Sequence, residues 1–371
     1  VSRYELTSGN SIEILHNGEE AYPAMIEAID DASSHVFLSS YIFETNRTGR
    51  NFIEARAGAA ARGVDTRVAV DGVGELYSRP RASKLLAQCD GVQVAHFLPP
   101  RLVPPMLHIN LRNHRKILVA DGRVAFTGGM NIGDRHLAGR IENPDRVVDG
   151  HFRLRGPVVG QLQQVFLDRW AFMTRREVEE FPADDGRPGE AVCRTLVEGP
   201  DEDLDKLLNV LLSAVSAAHE QVAIMTPYFV PPRELVGALK AAALRGVEVA
   251  VVVPARNNLP FVHWASRNMM WELLQRGVRI YVQPPPFVHT KLFMVDRHYV
   301  QIGSANMDPR SLRLNFELVV EIYSRTFAAT IDEHFQTVRG RSQEITQREI
   351  DARPVPVRFR DALAWLLTPY L

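Results

Sequence analysis

His114 and Lys116 stand two residues apart, and the same pair recurs at His289 and Lys291. An imidazole can attack phosphorus or carry a proton, and an ammonium beside it neutralises an anionic oxygen. Each pair is therefore equipped for chemistry on a phosphate ester. A single His-x-Lys pair is most often an exposed strand and nothing more. Here both copies share one internal spacing, because His114 lies 17 residues before Asn131 and His289 lies 17 before Asn306. The first copy runs His114-Arg115-Lys116-Ile117-Leu118-Val119-Ala120-Asp121-Gly122 and on to Gly128-Gly129-Met130-Asn131. The second runs His289-Thr290-Lys291-Leu292-Phe293-Met294-Val295-Asp296-Arg297 and on to Gly303-Ser304-Ala305-Asn306.

Each copy reads as a β-hairpin: an apolar run, a polar turn at Asp121-Gly122-Arg123 or Asp296-Arg297-His298, and a second apolar run. Period-two geometry puts His and Lys on one strand face, aimed at one ligand. The returning strand brings Gly129 and Asn131, or Ser304 and Asn306, back beside them, and these are the expected phosphate-binding residues. Asp121 and Asp296 fall at turn positions that favour Asp for local hydrogen bonding, so folding is their expected task. Arg115 alternates with His114 and should face away, while Arg112 could reach the phosphate side. Both would add positive potential that disfavours protonation of His114. His96, His108, His151 and His263 fit no motif and read as structural or solvated.

The elements that carry these hairpins also occur twice. Ser40-Tyr41-Ile42-Phe43 answers Pro227-Tyr228-Phe229-Val230, Ala61-Arg62-Gly63-Val64-Asp65 answers Leu244-Arg245-Gly246-Val247-Glu248, and Gly91-Val92-Gln93-Val94 answers Gly277-Val278-Arg279-Ile280. Helical spacing over 22–32, 204–218, 234–244 and 266–275 alternates with buried-strand runs, which predicts an α/β unit present twice. Residues 176–190 are acidic and rich in Pro and Gly, as a linker would be. The expected repeats are residues 1–180, with the first motif, and 191–371, with the second.

A hydrophobic fraction of 46% and a charged fraction of 23% set aside disordered and collagen-like chains. With 43 Lys plus Arg against 44 Asp plus Glu, there is no overall field to gather a polyanion, although residues 101–155 hold ten Lys or Arg against five acids. The two cysteines, Cys89 and Cys193, form no C-x-x-C pair, so neither a disulfide framework nor a thiolate metal site is expected, and a reducing compartment is. No run approaches the roughly 20 apolar residues that span a bilayer. The chain opens on Val1, which leaves room for an anchor upstream.

The two motifs resemble the H-x-K-x4-D signature of the phospholipase D superfamily, over nearly the whole chain. More narrowly, Asn110-Leu111-Arg112-Asn113-His114-Arg115-Lys116, Gly128-Gly129-Met130-Asn131-Ile132-Gly133-Asp134 and Phe287-Val288-His289-Thr290-Lys291 are similar to bacterial cardiolipin synthases. So are Asn17-Gly18-Glu19-Glu20-Ala21-Tyr22-Pro23 and Tyr41-Ile42-Phe43-Glu44. The expected fold is two pseudo-symmetric α/β/α sandwich repeats, each with a mostly parallel sheet, joined face to face around one shared active site. The resemblance implies that one His forms a phosphohistidine while the other protonates the leaving alcohol, with no metal or cofactor. It assigns His114 as nucleophile and His289 as acid, then base. It also implies a carboxylate beside each His, for which Asp149 and Glu317 stand at matching places.

The implied function is phosphatidyl transfer, with cardiolipin made from phosphatidylglycerol. Hydrolysis by water would make the same machinery a phospholipase D, and a nuclease or a silent lipid-binding protein are the rivals. The charge balance disfavours nucleic acid as partner, and two complete motifs disfavour silence. A peripheral place on the cytoplasmic side of a bacterial inner membrane is expected. The apolar, proline-rich lead-ins at 97–107 and 284–287 could line a slot for acyl chains or be rigid loops. At the C-terminus Phe359, Leu363, Leu366 and Tyr370 recur at helical spacing near Arg353, Arg358 and Arg360. That helix either packs on the protein or lies in an anionic interface.

Overall fold

The computed structural model describes residues 3–102, 105–106, 110–177, 180–200 and 204–368. His108 and Tyr370, and residues 103, 104 and 107 of the first apolar lead-in, lie outside them.

The strands Thr7–His16 and Ala191–Glu198 pair antiparallel at the centre of a 15-stranded sheet. Outward from Thr7–His16 follow Gly150–Arg155, Val124–Gly128, Ile117–Ala120, His35–Ser40, Asp65–Asp71 and Val92–Phe97. Outward from Ala191–Glu198 follow Glu317–Tyr323, Tyr299–Gly303, Leu292–Val295, Gln221–Met225, Glu248–Pro254 and Arg279–Gln283, with Gln343–Ile345 added at the edge. The two series correspond strand for strand, which is the repeat seen in the sequence. The sheet is not mostly parallel. Only the outer three strands of each series, His35–Ser40 to Val92–Phe97 and Gln221–Met225 to Arg279–Gln283, run parallel. The inner strands are hairpins and long returns, which pair antiparallel.

The halves are joined edge to edge through Thr7–His16 and also through a common core. Val158, Leu162 and Val165 of helix Val158–Thr174 and Phe327, Ile331 and Phe335 of helix Arg325–Gly340 share one apolar cluster with strand residues of both halves. A second cluster packs helices Asn17–Asp30 and Arg47–Ala61 on the first half. A third packs Lys206–Ala217, Arg233–Leu244 and Pro260–Leu274 on the second. The apolar positions at three- and four-residue spacing are those that face these clusters. Gly63 and Gly246 end matching helices with φ of +87° and +93°, the left-handed conformation that suits glycine.

Both motif hairpins are pinned at their turns. Asp121 has φ +53°, and its carboxylate accepts from the backbone N–H of Ser33, Ser34 and His35 at 2.8–3.0 Å. Asp296 has φ +50° and accepts from those of His219, Glu220 and Gln221 at 2.8–2.9 Å. Each Asp therefore ties its hairpin to the start of the neighbouring parallel strand. The His and Lys of each motif lie just before the first hairpin strand, in an extended lead-in, rather than within it.

Candidate active site

The lead-ins pair across the molecule. His114 N–H donates to Phe316 O and Phe316 N–H to Arg112 O, both at 2.9 Å, which sets the first lead-in beside Glu317. In the other direction, Phe287–Val288 pairs parallel with Val147–Val148, and His289 N–H donates to Val148 O at 2.8 Å, beside Asp149. The carboxylates are thus exchanged between halves. His114 Nδ1 lies 3.0 Å from both oxygens of Glu317, and His289 Nδ1 lies 2.8 Å from Asp149 Oδ2. A buried carboxylate can only accept, so it fixes the proton on Nδ1 and leaves Nε2 as the ring nitrogen available to a substrate. Both histidines line a single cavity of roughly 570 Å³ between the halves.

Lys116 and Lys291 are buried, and each donates to the carbonyl of the His two residues before it, at 2.6 and 2.8 Å. Lys291 Nζ also stands 3.1 Å from both ring nitrogens of His289. Burial is the main force that lowers Lys116 to about 7 and Lys291 to about 8. Burial, and then the lysines, also lower both histidines, His289 to about 4. Asp149 and Glu317 are held low, because the neighbouring His and Lys charges outweigh a burial that pushes them upward. The site thus offers neutral rings in an electropositive hollow, and an arriving phosphodiester anion would raise both histidines toward the charge state of an acid.

Of the four expected phosphate binders, Asn131 and Asn306 line the cavity. Asn131 is fixed through Oδ1, which accepts from Ile42 N–H at 3.1 Å, and Asn306 Nδ2 donates to Ser311 Oγ at 3.2 Å. The other two are elsewhere. Ser304 is wholly buried, and its hydroxyl donates to Glu317 Oε2 at 2.5 Å. Gly129 backs onto Asp149, where a Cβ would sit 3.0 Å from both carboxylate oxygens. These two positions shape the carboxylates' seats, because the returning strand reaches the carboxylate before it reaches the cavity.

Arg115 faces away, bonding the carbonyls of Glu317 and Glu198 at 3.0 and 3.2 Å. Arg112 borders the cavity, but its guanidinium bonds Asp71 at 3.2 Å and Leu98 O at 3.3 Å. Neither arginine is therefore what disfavours protonation of His114; burial, Lys116 and Lys291 do that. His151 is buried beside Gly128, His96 pairs with Glu75 at 3.2 Å, and His263 lines a separate, smaller cavity.

Sequence comparison agrees with this architecture. The family described as "Cardiolipin synthase, PLD-like domain" matches residues 25–170 and 211–339. The major cardiolipin synthase of Bacillus subtilis is 32% identical over 98% of this chain and 76% of its own length, and a cardiolipin synthase of Listeria innocua is 31% identical over 99% and 76%. The chain belongs to the cardiolipin synthase family of phospholipase D-like proteins. The crystal structure of a phosphatidylserine synthase from Haemophilus influenzae shares the fold, with a TM-score of 0.75 at 16% identity, covering 97% of this chain and 95% of that one.

In this family member three further residues frame the site. Tyr41 stands edge-on to His114 with ring centroids 5.2 Å apart, and Tyr228 stands edge-on to His289 at 6.4 Å. In the sequence both were matching landmarks of the repeat, and Tyr41 also lay in one of the segments that carry the family resemblance, but neither was marked as a site residue. His136 lines the cavity, and its Nε2 accepts from Asn131 N–H at 3.3 Å; burial lowers it to about 3, so it stays neutral. Pro285, Pro286 and Phe287 of the second lead-in form an apolar wall with Leu259 and Val262.

Proposed function

We propose that this chain is a phosphatidyltransferase that joins two phosphatidylglycerol molecules into cardiolipin. His114 Nε2 attacks the phosphorus, the bond to the headgroup glycerol breaks, and His289 gives that glycerol its proton. The headgroup hydroxyl of a second phosphatidylglycerol then loses its proton to His289 and attacks the phosphohistidine, and the P–N bond breaks. Lys116, Lys291, Asn131 and Asn306 hold the phosphate oxygens, while Glu317 and Asp149 orient the two rings. We assign this work to one site shared by a first repeat, residues 1–180, and a second, residues 191–371. The observation that carries the reading is the pair of carboxylate-bound imidazoles facing one cavity, with an apolar wall on one side of it.

The apolar wall suits a lipid substrate, while Arg135, Arg146, Arg256 and Arg310, which also line the cavity, would attract any phosphodiester, so the lipid reading rests on the wall and not on the charge. No described helix is long and apolar enough to cross a membrane. We place the protein peripherally, on the cytoplasmic side of a bacterial inner membrane. The test is incubation with labelled phosphatidylglycerol vesicles in EDTA. Cardiolipin and glycerol are the expected products. Phosphatidic acid alone would make it a hydrolase, and DNA cleavage with no lipid turnover would overturn the lipid reading.

A further inference from the structure

The helix Val355–Leu366 packs on helix Pro260–Leu274 through a face that includes Asp361 and Ala364, both buried. Asp361 anchors the contact, bonding Arg353 at 2.6 Å and lying 3.8 Å from Arg267. The opposite face is apolar and points to solvent. Val355, Phe359, Leu363 and Leu366 are 75%, 65%, 48% and 64% exposed, and Leu367 follows at 50%. At 3.6 residues per turn the first four form one stripe. A contiguous apolar stripe on the side away from the protein is the mark of an interaction surface, not of scattered surface residues.

The direction of this helix says what it meets. Arg360 lies 4.4 Å over Trp264, Asp361 faces Arg267, and Trp365 lies under Arg233, whose carboxylate partner is Glu272. The two helices therefore run parallel. The N-terminal end of helix Pro260–Leu274 lies at the active-site cavity, which Leu259 and Val262 line. Leu259 and Phe261 are themselves 44% and 54% exposed at that end. Arg256 on the cavity wall and Arg358 on the helix are both exposed. The cavity, at roughly 570 Å³, is of a size that encloses a compact ligand, so it can take a glycerophosphate headgroup but not the acyl chains of two phospholipids. Those chains have to stay in lipid while the headgroups react.

We propose that Val355, Phe359, Leu363 and Leu366, with Phe261 in the first turn of helix Pro260–Leu274, are the face on which the protein lies in an anionic bilayer. The apolar stripe sinks to the level of the acyl chains, the arginines stay among the headgroups, and the cavity opens onto the membrane surface. The proposal rests on the phospholipid substrate proposed above.

The test is flotation of the purified protein with phosphatidylglycerol–phosphatidylcholine vesicles, together with turnover of those vesicles and of short-chain phosphatidylglycerol below its micellar concentration. The variant carries Phe359→Ser, Leu363→Ser and Leu366→Ser, none of which touches the cavity. Vesicle affinity should fall about tenfold or more, since each residue loses most of its transfer free energy. Vesicle turnover should fall with it, and short-chain turnover should hold. If the triple variant proves unstable, Leu366→Ser alone is compared in the same assays and should show a smaller loss in the same direction. Equal flotation of variant and wild type overturns the proposal. So does a wild-type dimer that the variant dissociates without loss of flotation, because the stripe then covers a second copy. A wild type that turns over neither substrate refutes the proposed reaction, while flotation still decides the docking face.

Discussion

The two half-sites share a plan and differ in how the carboxylate is held. Glu317 is surrounded: besides His114 it accepts from Ser304 Oγ at 2.5 Å and from Asn315 Nδ2 at 3.1 Å. Asp149 bonds His289 through Oδ2, while its Oδ1 is buried, has no hydrogen-bond partner among the described residues and faces Gly129. A carboxylate shared among three donors gives each less of its charge, whereas one devoted to a single ring stabilises that ring strongly as a cation. The carboxylates alone do not order the two rings, because Lys291, 3.1 Å from both nitrogens of His289, joins burial in lowering that ring to about 4, whereas Glu317 opposes the lowering of His114. The assignment of His114 as nucleophile therefore stays a proposal that the two half-sites test.

The histidines themselves offer the largest test. His114→Ala and His289→Ala should each lower lipid transfer by about 10³-fold or more. A p-nitrophenyl phosphodiester, whose leaving group needs no proton, should still label His289→Ala covalently and should not label His114→Ala. Phosphate recovered on residue 289 of the wild type in a quenched digest would reverse the roles.

The carboxylates should separate in the same way, with losses of about 10²–10⁴-fold in kcat. Glu317→Gln is expected to slow labelling by both lipid and p-nitrophenyl substrates, and Asp149→Asn only labelling by the lipid. If each carboxylate served the His of its own half, the pattern would invert. Smaller effects come from the seats. Ser304→Ala removes a bond to a buried carboxylate and should cost about 1.5–3 kcal/mol of stability in urea unfolding. Gly129→Ala overpacks Asp149 and should cost about 1–3 kcal/mol. Unchanged stability in either Ser304→Ala or Gly129→Ala would erase the proposed distinction between the two seats.

Acid should destabilise the fold through the Asp149 side, whose rings resist protonation as long as it is folded. His136, His151 and His289 are lowered to about 3, 4 and 4, chiefly by burial. A folded state that binds fewer protons than the unfolded chain is fully stable above the ordinary histidine range, near 6.5, and loses stability as pH falls from there toward 4. The melting temperature should therefore drop by a few degrees between pH 7.5 and 5, and His151→Gln should reduce that drop. A melting temperature indifferent to this change would show that these rings take up protons freely in the fold.

Much of this was legible in the sequence because it is local. The matched spacing from His to Asn located both hairpins, and Asp121 and Asp296 could be read as turn residues, since a turn and its nearest backbone donors lie on neighbouring elements. The exchange of Asp149 and Glu317 was not legible, because it depends on Phe287–Val288 pairing with Val147–Val148 more than a hundred residues away. The role of Ser304 was hidden for another reason: Glu317 is only 13 residues further on, but the type of a serine suits a phosphate as well as a carboxylate. The antiparallel centre of the sheet was missed because a buried strand looks alike in either direction. The C-terminal periodicity announced a helix, but its orientation depends on a single buried charge, Asp361, and composition cannot reveal that.

The exchanged carboxylates also bear on how such a chain could have arisen. Neither half pairs its motif histidine with a carboxylate of its own, so one half alone lacks that pair, whereas two copies of one half, related by a twofold axis, would complete two such pairs at their interface. The present chain has the geometry of such a dimer with its subunits joined end to end, the segment 176–190 keeping the partners at a high effective concentration whatever the dilution. Once joined, the copies no longer need to be identical. Ser304 opposite Gly129, and Glu317 opposite Asp149, mark where that freedom has been used to make one catalytic group differ from the other.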